Sequence, residues 1–190
     1  MGESCHTISR RLLWAVPLAL ASGNAGAGEG RPPTTAAEIQ HTQPSATEAE
    51  RLLSAHNAER ARLGVPGLRW NSALARDAGQ WARVLAERGV LQHADGSQRS
   101  GKGENLWMGT AGAWQAEAMV GMFLDERRHF RAAAFPDVSR TGNWADVGHY
   151  SQIVWRETRE VGCAIDTGKG QDVLVCRYHP AGNVMGEAPF

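Results

Sequence analysis

The chain has 190 residues, a length that suits one domain of ordinary size and is too short for two large ones. Its 20 basic and 20 acidic residues cancel, and no run of five or more like charges occurs, which argues against nucleic-acid binding. A hydrophobic content of 42% with seven tryptophans predicts a packed core rather than disorder.

The N-terminus has the composition of a secretory signal peptide. Arg10 and Arg11 precede an apolar run, 12–21, which is followed by small residues at 25–27. We therefore expect residues 1–27 to be removed and the mature protein to be extracellular or periplasmic, by an export route that the sequence leaves open. The apolar run is too short to cross a bilayer, so no transmembrane segment is expected in the mature protein.

The next segment, 28–46, is rich in proline, threonine and glycine and predicts a flexible linker ahead of a domain at 47–190. A first helix is predicted from Thr47 and Glu50, which have capping-box spacing, up to Gly64. We expect three polar residues of this helix to form a buried hydrogen-bond network: His56, Asn57 and Arg60.

A second helix is predicted between an Asn71 cap and a terminating Gly89, because its apolar residues recur at helical spacing. Residues 90–109 are rich in glycine and predict a loop. Periodicity then predicts a third helix over 113–130, with Glu126 on its apolar side.

The segment 148–155, GHYSQIVW, alternates in a way that predicts a buried strand with His149 at its start. Two further apolar runs flank Gly168-Lys169-Gly170 and predict a hairpin. Helices followed by antiparallel strands predict an α+β fold with helices packed on a small sheet.

Cysteine usage agrees with export. Cys5 lies in the predicted leader, which leaves Cys163 and Cys176 as a pair on the two arms of the hairpin. An even count in a secreted chain favours a disulfide between them, and two free buried thiols are the alternative.

Four polar residues stand out from their surroundings: His93, Glu104, Glu126 and His149. Two imidazoles and two carboxylates suit divalent-cation binding or acid and base chemistry. Each also has an architectural explanation: a solvated loop for His93, a backbone cap for Glu104, an ion pair with a neighbouring arginine for Glu126, and a hydrogen-bonded core or rim position for His149.

Four segments closely resemble signature motifs of the CAP family, which includes cysteine-rich secretory proteins, venom allergens and pathogenesis-related class 1 proteins. They are HNAERARLGVPGLRW, GENLW, GHYSQIVW and VCRYHPAGNVMGEAPF. The resemblance implies a three-layer α-β-α sandwich, with helices on both faces of a small antiparallel sheet. It also implies a cleft lined by the four residues named above. If His93 and His149 converge in that cleft, we expect them to bind zinc or another divalent cation.

Some residues depart from the family pattern. Ala94 stands where serine or threonine is common, and Phe123 replaces a usual tryptophan, so choosing Glu126 over Glu117 depends on spacing to Phe130. The segment between Glu126 and His149 is long for the family, which affects the expected cleft rim.

The preferred hypothesis is a secreted binding module for a sterol, a fatty acid or a host or environmental partner, with no nucleic acid involved. Tryptophans 107, 114 and 144 offer an apolar surface unless they are core. The alternative is a metal-dependent peptidase or esterase in which Glu104 or Glu126 activates water, with Ser151 as a less favoured nucleophile. Catalysis is not the favoured interpretation, and the oligomeric state is not predicted.

Overall fold

The computed structural model describes residues 45–190, so the predicted signal peptide and most of the predicted linker lie outside the described residues. Within 45–190 the chain begins with α1, one residue before the predicted domain start. In chain order the elements are α1 (Ala46–Arg62), β1 (Arg69–Trp70), α2 (Ser72–Arg88), α3 (Gly96–Arg99), β2 (Gly103–Thr110), α4 (Ala116–Leu124), a first 3₁₀ turn (Asp125–His129), a second 3₁₀ turn (Trp144–Val147), α5 (Gly148–Ile153), β3 (Glu160–Gly168) and β4 (Gln171–His179).

The first two predicted helices are confirmed. The capping box of α1 joins Ser45 to Glu48 rather than Thr47 to Glu50, so the prediction had the right motif two residues late. The Asn71 side chain accepts hydrogen bonds from the backbone N–H groups of Ala73 and Leu74, at 2.8 and 3.2 Å, and so caps α2. Gly89 ends α2 with a φ of 67°, a conformation that glycine adopts without strain.

The sheet has the strand order β1-β3-β4-β2. The predicted hairpin is confirmed as β3 and β4, and β4 also pairs antiparallel with β2. The short β1 runs parallel to β3, so the sheet is mixed rather than purely antiparallel. Cys163 lies directly opposite Cys176 and is disulfide-bonded to it.

The predicted loop at 90–109 contains strand β2, which is a correction. Two glycines in this strand gave it the composition of a loop. Close packing explains why glycine stands at both positions. A Cβ on Gly103 would collide with the Gln152 side chain, and a Cβ on Gly109 would collide with the Trp107 ring. These glycines therefore permit close approach inside a strand rather than forming a turn.

Helices cover both faces of the sheet, which confirms the predicted α-β-α sandwich. Alternate residues of β4 face opposite layers: Val173 and Val175 pack against α2, whereas Leu174, Cys176 and Tyr178 pack against α1, α4 and α5. The sandwich therefore has two apolar cores, one on each side of the sheet.

The predicted strand at 148–155 is wrong, because Gly148–Ile153 forms helix α5. The buried Tyr150, Ile153 and Val154 recur at positions i, i+3 and i+4, which fits a helix as well as alternation fits a strand. The third helix is also shorter than predicted: α4 ends at Leu124 and the chain tightens into the first 3₁₀ turn.

The three polar residues predicted to form a buried network on α1 are all hydrogen-bonded, but to separate partners, and Asn57 is only partly buried. His56 is fully buried, and its two ring nitrogens contact Leu52 O at 2.7 Å and the Tyr178 hydroxyl at 2.8 Å. Asn57 exchanges hydrogen bonds with the backbone of Leu68. Arg60 donates to the backbone carbonyls of four residues: Pro66, Ile153, Trp155 and Thr158. These bonds join α1 to the sheet and to the end of α5.

Candidate functional site

One half of the site is a histidine held by a buried carboxylate. His93 lies in the segment after α2, and Glu104 is the second residue of β2. The Nδ1 atom of His93 is 2.5 Å from Oε1 of Glu104, which also accepts the backbone N–H of Ala94 at 3.1 Å. The Glu104 side chain is fully buried, whereas the His93 side chain is 55% exposed. The carboxylate therefore orients the ring and leaves its outer edge accessible.

The second oxygen of Glu104 faces a buried arginine. Nη1 of Arg177 lies 2.9 Å from Oε2 of Glu104, and the Arg177 side chain is only 2% exposed. The two residues are direct cross-strand partners in the β2–β4 register. Nε of Arg177 is 3.7 Å from a carboxylate oxygen of Asp77 on α2. Sequence reasoning missed Arg177, although a charged residue on the face shared by Val173 and Val175 is a signal that a buried partner is required.

The other half of the site is a second histidine and carboxylate. Glu126 lies in the first 3₁₀ turn, and His149 is the second residue of α5. Nδ1 of His149 is 2.6 Å from Oε1 of Glu126. Oε2 of the same carboxylate accepts the backbone N–H groups of His149 and Tyr150, at 3.1 and 3.0 Å. Glu126 therefore fixes both the ring of His149 and the first turn of α5.

Two neighbours explain how this pair is positioned. Phe123 stacks on the His149 ring, with 4.7 Å between ring centroids and 24° between planes. Glu117, the competing candidate on the same helix, pairs instead with Arg51 at 2.6 Å on the surface. The structure therefore brings Glu126, and not Glu117, to His149.

Glu59 of α1 hydrogen-bonds to the residues that follow His149 and Glu126 in the chain. Its carboxylate accepts a 2.7 Å hydrogen bond from the Tyr150 hydroxyl on α5 and a 3.2 Å hydrogen bond from Arg127 in the first 3₁₀ turn. Glu59 is only 5% exposed, and its hydrogen bond with Arg62 is the main cause that lowers its pKa. Sequence reasoning missed this residue, since an acidic residue in a charged helix gives no signal of burial.

The two halves meet at a cavity of about 220 Å³. Glu126 lies behind His149 rather than on the cavity wall. Neither Nε2 atom of the two histidines has a hydrogen-bond partner among residues 45–190. The lining residues are His93, Glu104, Asn105, Trp144, Ala145, Gly148, His149 and Asn183.

Ser151 does not share a face with His149, as a strand would require, because residues two positions apart do not face each other on a helix. It is buried in α5, and its hydroxyl donates a 2.6 Å hydrogen bond to the side-chain oxygen of Asn183. Asn183 in turn donates to the carbonyl of Gly148 at 2.9 Å. Asn183, which the sequence suggested only as a turn residue, ties the C-terminal segment to α5 at the cavity.

Among the described residues, only His56, Cys163 and Cys176 bring three metal-donor atoms within 4.8 Å of one another. The two cysteines are joined in a disulfide, and both nitrogens of His56 already contact protein atoms, so this cluster offers no free donors. The cleft, by comparison, offers two oriented imidazoles and open space for other ligands.

Both the sequence and the fold of this chain are similar to those of known proteins. A model of the cysteine-rich secretory protein (CAP) family matches residues 53–178. Pathogenesis-related protein 1B of Nicotiana tabacum is 33% identical over 153 residues, which cover 80% of this chain and 86% of the relative. Secreted protein RBT4 of Candida albicans is 34% identical over 144 residues, 74% of this chain and 37% of the relative.

A solved structure of the same fold, the crystal structure of NaASP2 with Zn²⁺, matches with a TM-score of 0.68. It is 23% identical and covers 77% of this chain and 86% of that chain. At this identity the likeness concerns the fold alone.

Proposed function

The chain belongs to the cysteine-rich secretory protein (CAP) family, and from this premise we propose that it is a secreted binding module whose cleft holds a divalent metal ion beside a surface for an apolar ligand. Secretion is supported by the signal-peptide composition of residues 1–27 and by the similarity to secreted protein RBT4. Within residues 45–190, no helix combines the length and hydrophobicity needed to cross a membrane.

The observation that carries the metal proposal is the matched orientation of two imidazoles. Each Nδ1 atom contacts a glutamate, at 2.5 Å for His93 and 2.6 Å for His149. A carboxylate partner favours the proton on Nδ1, which leaves the lone pair of Nε2 free to bind a cation. Histidine ligands in metal sites are commonly held by carboxylates in this way. Zinc is a suitable cation, since imidazole is one of its usual ligands.

The apolar-ligand proposal is supported by exposed hydrophobic side chains at the cleft. Trp144 is 47% exposed and lines the cavity, and Met185 is 69% exposed nearby. Trp107, by contrast, is buried in the core, and the exposed Trp114 packs edge-on against it. Of the three tryptophans considered from the sequence, Trp144 is therefore the one placed to contact a ligand in the cleft.

Hydrolysis by the same residues is the competing function. A bound zinc ion would supply a Lewis acid that polarises a water or carbonyl. Both carboxylates are already engaged, however: Glu104 contacts His93, Ala94 and Arg177, and Glu126 contacts His149 and the Tyr150 amide. A general base must be free to take a proton from the attacking water, so these contacts favour binding over catalysis.

Calorimetric titration with zinc tests the metal proposal. The native protein is expected to bind one zinc ion with micromolar or weaker affinity, because only two imidazoles are oriented ligands. His93→Ala and His149→Ala should each weaken binding by at least about tenfold. His179→Ala, which removes an exposed histidine at the end of β4, is the matched control and should leave the isotherm unchanged. Identical isotherms for all four proteins would contradict the proposal.

Binding and catalysis separate in a second experiment on Glu104→Gln and Glu126→Gln. We expect fluorescent sterol or fatty-acid binding to survive both changes, because apolar burial supplies its affinity. Trp144→Ala should weaken that binding, whereas Trp114→Ala should not. An enzyme would instead lose about two to four orders of magnitude in peptide or ester hydrolysis with either glutamine variant. Wild-type turnover that disappears in these variants would overturn the binding assignment.

A further inference from the structure

The cleft continues beyond the histidines into a larger cavity of about 450 Å³, within the range of small-molecule sites. This larger cavity shares four lining residues with the smaller one: His93, Glu104, Trp144 and Asn183. Its lining has a cationic part and an apolar part, called here the apolar wall. Arg99 and Lys102 contribute cationic side chains, whereas Phe135, Trp144 and Met185 contribute apolar ones.

The apolar wall is a fixed structure. Phe135 is 6% exposed and packs edge-on against Trp144, with 5.3 Å between ring centroids. The backbone N–H of Phe135 donates to Glu187 O and its carbonyl accepts from Gly186 N–H, both at 2.8 Å. These bonds join the long segment before His149 to the C-terminal segment that carries Met185. Trp144 and Met185 stay exposed on this wall.

The two cationic side chains in the lining differ in their pairing. Lys102 donates a 2.7 Å hydrogen bond to Asp77, so its charge has a partner. Glu104, the carboxylate in the lining, is engaged by His93 and Arg177. The guanidinium of Arg99 donates through Nε to the carbonyl of Ala94 at 3.0 Å, and no carboxylate within residues 45–190 forms an ion pair with it. Arg99 therefore brings an uncompensated positive charge to the cavity.

We propose that the ligand of this cleft is an anionic amphiphile, whose carboxylate or phosphate lies on Arg99 and whose apolar body lies against Trp144 and Met185. A planar guanidinium matches both anions through paired hydrogen bonds. This inference rests on the proposed binding function and deepens it, because it fixes the charge of the ligand and its direction in the cleft. Arg99 would then be the residue that determines specificity.

A matched series of dodecyl probes tests the proposal by calorimetry below their micelle concentrations: dodecanoate, dodecyl phosphate, neutral dodecanol and dodecylammonium. The wild type should bind at least one anion about tenfold or more tightly than dodecanol, the usual worth of a hydrogen bond to a charged group. Comparing dodecanoate with dodecyl phosphate identifies which anion is preferred. Dodecylammonium should bind most weakly.

Variants assign the preference to its residue. Arg99→Gln should reduce anion affinity to that of dodecanol while dodecanol binding stays unchanged, and Arg99→Lys should restore part of the preference. Arg88→Gln, an exposed arginine at the end of α2, is the matched control and should behave as wild type. Unchanged dodecanol binding also shows that the loop carrying His93 is intact.

The outcomes separate a failure of the Arg99 assignment from a failure of the apolar-ligand function. If the wild type binds dodecanol and the anions equally, or if Arg99→Gln keeps the preference, the assignment of Arg99 is wrong while the apolar-ligand function stands. If no probe binds the wild type, the apolar-ligand function itself fails and the assignment fails with it.

Discussion

His56 illustrates how burial sets the protonation state of a single side chain. It is fully buried on α1, between the carbonyl of Leu52 and the hydroxyl of Tyr178. Burial is the largest cause that lowers its pKa from 6.5 to about 4, and the nearby Arg60 cation acts in the same direction. The folded protein therefore keeps this imidazole neutral under conditions in which the unfolded chain protonates it.

This difference predicts an acid-dependent loss of stability. As pH falls below about 6.5, the unfolded state binds a proton that the folded state does not bind until about pH 4. The free energy of unfolding should fall by up to about 1.4 kcal/mol per pH unit, about 3 kcal/mol in total over this window. Denaturant titrations between pH 7 and 4.5 measure the slope.

Variants attribute this slope to His56. His56→Gln should flatten the pH dependence, whatever its effect on stability at pH 7, and His179→Gln should leave the slope as in wild type. A wild-type slope that persists in His56→Gln would show that other groups cause it.

The cleft residues were predictable from the sequence, whereas the residues that position them were not. His93, Glu104, Glu126 and His149 match family motifs, and each lies in a His–Glu pair beside the shared cavity. Glu59 and Arg177 lie within two of the motifs quoted above, HNAERARLGVPGLRW and VCRYHPAGNVMGEAPF, but neither was predicted as a site residue. Their roles depend on tertiary neighbours far along the chain, which a single sequence does not reveal.

At the scale of secondary structure, predictions succeeded where a local signal was complete. Helix α2 has a cap, an apolar stripe and a terminating glycine, and the β3–β4 hairpin has two apolar arms around a turn. Strand β2 and helix α5 lack such signals. The glycines of β2 reflect contacts with Gln152 and Trp107, and α5 has only six residues, too few to separate a helical period from alternation.

The pairing of β2 with β4 buries the ion pair between Glu104 and Arg177, and its contribution to stability can be tested. Arg177→Met should destabilise the fold by about 3–5 kcal/mol, because it leaves the Glu104 carboxylate buried without its cationic partner. The double variant Arg177→Met/Glu104→Gln should recover part of this loss, since no buried charge then remains unpaired. Chemical denaturation of the two variants and the wild type measures these differences.

Arg69→Met is the matched control for a surface pair. Arg69 is 78% exposed and lies 3.5 Å from Glu160, so its loss should cost less than about 1 kcal/mol. An equal cost for Arg69→Met and Arg177→Met would contradict the importance assigned to the buried pair.

At the scale of the whole molecule, the cleft joins the two layers that flank the sheet. Glu104 lies on the β2 face shared with Leu106, which packs against α2, so the first His–Glu pair belongs to that side. His149 and Glu126 lie on elements of the opposite layer, beside Phe123 and Tyr150 of the other core. The sandwich architecture, predicted from the sequence, therefore explains why residues 56 positions apart, His93 and His149, line one cavity.

A metal ion held by both histidines would link these layers, which gives the final prediction. Zinc at about one hundred times its dissociation constant should raise the free energy of unfolding by about 2.7 kcal/mol, because the ion binds only the folded arrangement. His93→Ala and His149→Ala should each abolish most of this gain, since each removes the ligand from one layer, whereas His179→Ala should keep it. Thermal melts with zinc and with excess chelator measure the effect, at a fixed protein concentration. If one histidine variant retained the full gain while the other lost it, the ion would be held on one side of the sheet, and a link between the layers would be refuted.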